Sequence, residues 1–107
     1  MRTTPVIKNA NKGDAFMLGP DDVDSSYVML FVEHAPGNSS PDHVHPWEHQ
    51  AFITTGSGIL VCDGKEYPIK QGDAVFVPRG IRHQFKNTGP VPMSRVTVNP
   101  RESAENK

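Results

Sequence analysis

Cysteine is almost missing from this chain: Cys62 stands alone among 107 residues, so no intramolecular disulfide can staple the fold. The lone thiol reads as a small core residue rather than a reactive group. Long hydrophobic runs are missing too. No stretch approaches the ~20 apolar residues of a membrane span, and the opening MRTTPVIKNANKGDAF has no apolar core of the signal-peptide kind. A cytoplasmic protein with no membrane partner is the expectation. Neither sign of charge dominates, with 11 basic and 12 acidic residues and no basic stripe, which argues against nucleic acid as a partner. Internal repeats, coiled-coil heptads and low-complexity blocks are absent as well.

Uninterrupted helix-forming sequence is the last thing lacking. Ten prolines and nine glycines break every stretch in which a helix could grow, so the expected class is all-β. The length suits a single domain over residues 1–107, with a core over about 27–98 and a polar tail, 99–107, that frays. Tyr27 to Ala35 is the strongest strand and is apolar on both faces until Glu33, as in the inner wall of a packed sandwich or barrel. Ile59–Cys62 and Lys65–Ile69 form a hairpin about Asp63-Gly64, the dipeptide favoured in type I′ turns, and Pro68 confines its strand to an edge or a bulge. Gln50–Thr55, Ala74–Val77 and Met93–Val98 are further strands. Pro5–Ile7 and Ala15–Leu18 are weaker candidates, which in a homodimer would add to the partner's sheet. Nine or ten short strands separated by turn signals predict a small antiparallel β-barrel or jelly roll.

What the sequence does have is a concentration of histidine. Four of the five lie in two segments framed by glycine and proline. The first reads Gly37, five residues, His43-Val44-His45, three residues, His49, six residues, Gly56; the second reads Gly72, five residues, Pro78-Arg79-Gly80, two residues, His83, three residues, Asn87. His43, His45 and His49 share one parity and converge on one side of a strand or a slightly broken strand. Imidazole is the commonest neutral metal ligand, so this cluster, completed by His83, reads as a metal site. A structural or surface role is the alternative for each histidine taken singly. It is the one assigned to His34, which lies outside both segments.

The two segments resemble the two cupin motifs, G-x5-H-x-H-x3,4-E-x6-G and G-x5-P-x-G-x2-H-x3-N. The second matches at every position: Gly72, Pro78, Gly80, His83 and Asn87. The first matches at Gly37, His43, His45 and Gly56, but His49 occupies the glutamate position, and Glu48 lies one place too early with the opposite parity. Motifs and spacer together cover residues 37–87. The departure at His49 resembles a four-histidine subgroup of small single-domain cupins, some of which hold manganese. The resemblance implies a divalent transition metal held by His43, His45, His49 and His83, manganese or iron first, then nickel, copper and zinc.

Four neutral imidazoles leave the charge of a dication uncompensated, so the pocket should favour an anionic or enolate oxygen ligand. An octahedral ion with four protein ligands keeps two positions, enough for a bidentate substrate or for substrate and dioxygen together. No acid–base residue stands out. Trp47 and Phe85 share parity with His45 and His83, so each either lines an aromatic pocket or packs in the core. Arg95 and Thr97 lie on the face of the last strand opposite Val96 and Val98. If that face is the lumen, Arg95 can anchor a substrate carboxylate; otherwise it is a surface arginine. The expected function is a metal-dependent oxidoreductase of the dioxygenase type acting on a small enolisable or carboxylate substrate. A non-redox isomerase or lyase and a non-catalytic binding module are the alternatives.

Overall fold

Along His49–Thr55 buried and exposed residues alternate, His49, Ala51 and Ile53 inward and Gln50 and Phe52 outward, the period-2 pattern of a strand with one covered face. The computed structural model, which describes residues 4–10, 14 and 16–105, places this segment as β2 in a fold built almost wholly of strands. The others are β1 (Tyr27–His34), β3 (Ser57–Cys62), β4 (Lys65–Lys70), β5 (Ala74–Val77), β6 (His83–Lys86) and β7 (Met93–Pro100), followed by one helical turn, α1 (Glu102–Glu105).

All strand pairs are antiparallel, in a four-stranded sheet of order β1-β7-β2-β5 and a three-stranded sheet of order β4-β3-β6. The core lies between them. Ala51, Ile53, Val77 and Met93 from the larger sheet meet Leu60, Ile69 and Phe85 from the smaller one. The expected all-β, antiparallel class is therefore what the chain adopts, but the sheets are not closed into a barrel. The reason lies in the chain beside β6. It carries Pro36, Pro41 and Pro46, which cannot donate to a ladder, so it meets β6 through isolated bridges, Ser39 with Lys86 and His43 with His83, instead of a continuous strand.

The turn chemistry follows the sequence closely. Asp63 and Gly64 both have positive φ, 54° and 75°, as a type I′ turn requires, and Pro68 lies in β4, an edge strand. Gly56 alone joins β2 to β3. Its φ is 81°, and a Cβ there would approach the Pro92 carbonyl oxygen to 2.6 Å, so both backbone shape and space call for glycine.

Three expectations are corrected. Pro5–Ile7 forms no strand, and the Ala15–Leu18 candidate, whose first residue is outside the described ones, reduces to a bridge between Leu18 and Met29. The tail does not fray from residue 99. β7 runs on to Pro100, and Arg101 then donates from its guanidinium to the carbonyl oxygens of Val23 (2.8 Å) and Pro20 (2.9 Å). Those two bonds, with Arg101 N–H to the Ser26 carbonyl at 2.8 Å, tie α1 down over one end of the larger sheet. His43, His45 and His49 also do not lie along one strand: only His49 is in a regular strand, and residues 44–48 loop between the His43 bridge and β2. Among the described residues no helix is long and apolar enough to cross a membrane.

Candidate metal centre

His49 opens β2 and His83 opens β6, so the two sheets each deliver one imidazole to the same end of the core, 7% and 3% exposed. His45 reaches them from the loop. Its carbonyl accepts the Gly80 N–H at 2.9 Å, and its ring stacks on Trp47 with centroids 4.6 Å apart and planes 10° apart. The loop is thus pinned at its middle by the turn that precedes His83. His43 is held by its backbone, exchanging two hydrogen bonds with His83, N–H to carbonyl at 3.0 and 2.9 Å.

One ring nitrogen each from His45, His49 and His83 lies within 4.8 Å of the others. His49 Nε2 and His83 Nε2 are 3.2 Å apart. Two nitrogens bound to one ion at ~2.0–2.1 Å stand roughly 3 Å apart, so this pair is already at ligand spacing. His83 Nδ1 lies 2.9 Å from the Ile81 carbonyl, which can only accept; Nδ1 therefore carries the proton, and in the neutral ring Nε2 presents its lone pair to the cluster. His49 Nδ1 and His45 Nδ1 are buried without a hydrogen-bond partner. A buried set of neutral imidazoles with idle lone pairs fits a transition metal ion well. His43 stands outside this trio. Its ring is exposed, with centroids 5.4 Å from that of His45 and 6.1 Å from that of His83.

The trio opens onto a cavity of about 240 Å³ between the sheets. Trp47, Phe85 and Arg95 all line it, so the inward face of β7 is the Arg95–Thr97 face. Phe85 is also core, 1% exposed, so packing and lining are the same role here. Glu48 turns away and pairs with Arg79 on the surface at 3.2 Å, a contact worth little to stability. Two residues that the sequence reading left outside belong to this region. Asn99 lines the cavity because β7 continues past Val98; extending the parity of Arg95 and Thr97 by one step finds it. His34 sits behind the cavity wall, its Nε2 accepting from Arg95 Nη1 at 3.0 Å.

Burial sets the proton affinity of these rings. It pushes His49 down to about 3, with the neighbouring His83 and His45 adding repulsion, and it lowers His45 and His34 as well. In the metal-free protein these groups stay neutral when folded, while the unfolded chain takes up protons near 6.5. The unfolded state then binds more protons at any pH between the two values, so stability is whole above about pH 7.5 and declines as pH falls through 6.5 toward 3. From pH 7.5 to 5.5 His49 alone should cost about 1.4 kcal/mol, which in a domain of this size lowers the melting temperature by roughly 4–8 °C. Thermal melts of chelator-treated protein at the two pH values check this; equal melting temperatures would mean that His49 is not buried as described.

Fold and site together define a β-sandwich with a histidine-lined cavity at one end. A family model described as a cupin domain matches residues 30–99, and the chain belongs to that family. Among curated proteins it is similar to the tetracenomycin polyketide synthase protein TcmJ of Streptomyces glaucescens, 35% identical over 78 residues, which are 71% of this chain and 52% of that protein. The oxalate-binding protein of Thermotoga maritima is 40% identical over 55 residues, 50% of this chain and 46% of that protein. The solved structure of the polyketide cyclase RemF from Streptomyces resistomycificus superposes with a TM-score of 0.74 at 30% identity, covering 80% of this chain and 62% of that one. The chain spans about half the length of the curated relatives it matches.

Proposed function

We propose that this cupin is a metal-dependent enzyme that binds a small enolisable or carboxylate substrate through two oxygens and oxidises it with dioxygen. One observation carries the reading: three imidazole nitrogens meet at one end of a cavity whose lining, among the described residues, contains a buried arginine and no aspartate or glutamate. His45, His49 and His83 would hold the metal, with His43 as the fourth ligand after a turn of its exposed ring, and manganese or iron is the ion we favour. The metal would supply Lewis acidity for an enolate oxygen and a site at which dioxygen and substrate meet.

The chain's own residues do the rest. The Ile81 carbonyl keeps the proton of His83 on Nδ1, and Trp47 holds the His45 ring in plane. The Phe85 ring and Leu30 exclude water from the cavity walls. Among the described residues no aspartate, glutamate, lysine or tyrosine lines the cavity, so with His43 bound to the metal a reaction that shuttles a proton between two carbons has no resident base. Oxidation makes no such demand.

His43 favours a second reading. If it stays outside the ligand set, its exposed imidazole is free to act as a base, and a non-redox lyase, isomerase or cyclase becomes the better account, in line with the likeness to a protein named a polyketide cyclase. The two readings separate in one experiment: the manganese- or iron-loaded protein is given enolisable acids, with and without dioxygen, and oxygen uptake is followed beside product. Turnover that needs oxygen supports the first reading, and equal turnover without oxygen supports the second. A homodimer belongs to the same proposal, because the outer face of the larger sheet exposes Phe52 (48%) and Phe76 (54%) beside Val96 and Val98.

A further inference from the structure

β7 turns three polar side chains, at positions 95, 97 and 99, into the cavity. Their place along it follows from the register with β2. Gln50 pairs with Val98, Ala51 with Thr97 and Ile53 with Arg95, which leaves Asn99 at the level of His49 and puts Arg95 at the far end, beside the core residue Ile53. The guanidinium carbon of Arg95 lies 4.0 Å above the Phe85 ring, so the cation stands at the end of the cavity away from the histidines.

Arg95 is 8% exposed and, among the described residues, makes no ion pair. Its Nη1 donates to His34 Nε2, which as an acceptor makes His34 the neutral tautomer protonated on Nδ1, and its Nε has no partner at all. Thr97 Oγ1 and Asn99 Oδ1 are likewise buried without partners. A buried guanidinium is costly unless an anion meets it, and none of the described residues supplies that anion. Burial lowers its pKa only to about 10, so it keeps its charge at neutral pH. Three unsatisfied polar atoms in a row, on one wall of one cavity, are a binding surface whose complement comes from outside the chain.

We infer that the cavity takes a short hydroxy- or oxo-dicarboxylate, chelated at one end beside His45, His49 and His83 and paired through its far carboxylate with Arg95, with Thr97 and Asn99 meeting the oxygens between. His34 is the positioning residue that holds the guanidinium over Phe85. The chelated end of this inference rests on the metal reading above; the Arg95 end does not.

Malate and lactate separate the two ends, since they share the 2-hydroxy acid and differ by the far carboxylate. Calorimetric titration of the manganese-loaded protein should give malate at least about tenfold tighter binding than lactate, the worth of one charge-assisted bond to a buried cation. Arg95→Met should remove that ratio while leaving the metal content unchanged. If Arg95→Met does not fold, Arg95→Lys, which keeps the charge but not the planar fork, should reduce the ratio without abolishing it. Equal affinity for the two acids, no binding of either to loaded protein, or a folded variant that keeps the preference would overturn the inference. Failure to take up metal would instead remove the chelation reading, and the malate-to-lactate ratio on metal-free protein would still decide whether Arg95 is an anion site.

Discussion

His49→Ala should abolish the metal binding proposed for the histidine trio. The variant, loaded with manganese or iron and passed over a desalting column, should retain less than about a tenth of an equivalent where the wild type holds close to one. The expectation follows from geometry. His49 Nε2 sits 3.2 Å from His83 Nε2, and among the described residues no carboxylate lines the cavity to take the place of the lost nitrogen. Losing an outer-shell partner already weakens metal binding by ~10–100-fold, and losing a ligand from a trio should cost more. His83→Ala should behave the same way, and His34→Ala should leave the metal in place, because that ring bonds to Arg95 and is not part of the trio. His43→Ala is the informative case. Metal lost to the same degree makes it a fourth ligand, and metal retained leaves it free for the proton transfer of the non-redox reading. Full occupancy in His49→Ala would remove that residue from the ligand set altogether.

Phe85→Ala should cost about 3–5 kcal/mol of stability, a large share of what a domain of this size possesses. The ring is 1% exposed and joins residues from both sheets in one cluster, so its removal leaves a void that neither sheet can close alone. It also takes away the surface under the Arg95 guanidinium, a cation–π contact worth ~0.5–2 kcal/mol by itself. Urea denaturation measures the loss as a fall in midpoint at constant slope. Phe85→Leu should recover most of it, because volume is nearly kept while the aromatic face is not. A loss below about 1 kcal/mol in Phe85→Ala would show that the two sheets are not packed through this residue. Folded Phe85→Ala should still hold metal, which separates its effect from that of His49→Ala.

Much of this was legible from residues alone, where the signal is local. Asp63-Gly64 specifies its turn because few residues tolerate two positive φ values in succession, and Pro68 announces an edge because it lacks a donor. Pro78 and Gly80 set the turn ahead of His83, so that His83 and Phe85 face inward together, as their shared parity required. The anchoring of the tail is not legible in the sequence, because its polarity says nothing about Arg101, whose partners Pro20 and Val23 lie about 80 positions earlier in the chain. Parity also overreached between His43 and His49. It allows a strand or a slightly broken one, and Pro46 with the bend at Trp47 makes a loop there.

The sequence by itself determined the all-β class, the pairing of the central hairpin and the identity of the histidines as a group, because turn propensity and ligand chemistry belong to the residues. Only the tertiary structure decided which of those histidines meet, that Arg95 faces the cavity and not the solvent, and that Asn99 stands level with His49. Each of these depends on the register of β7 against β2 and on the loop bridged to β6, contacts between residues far apart in the chain. Alternation divides a strand into two faces, but it is the packing of one sheet on the other that makes one of them the inside.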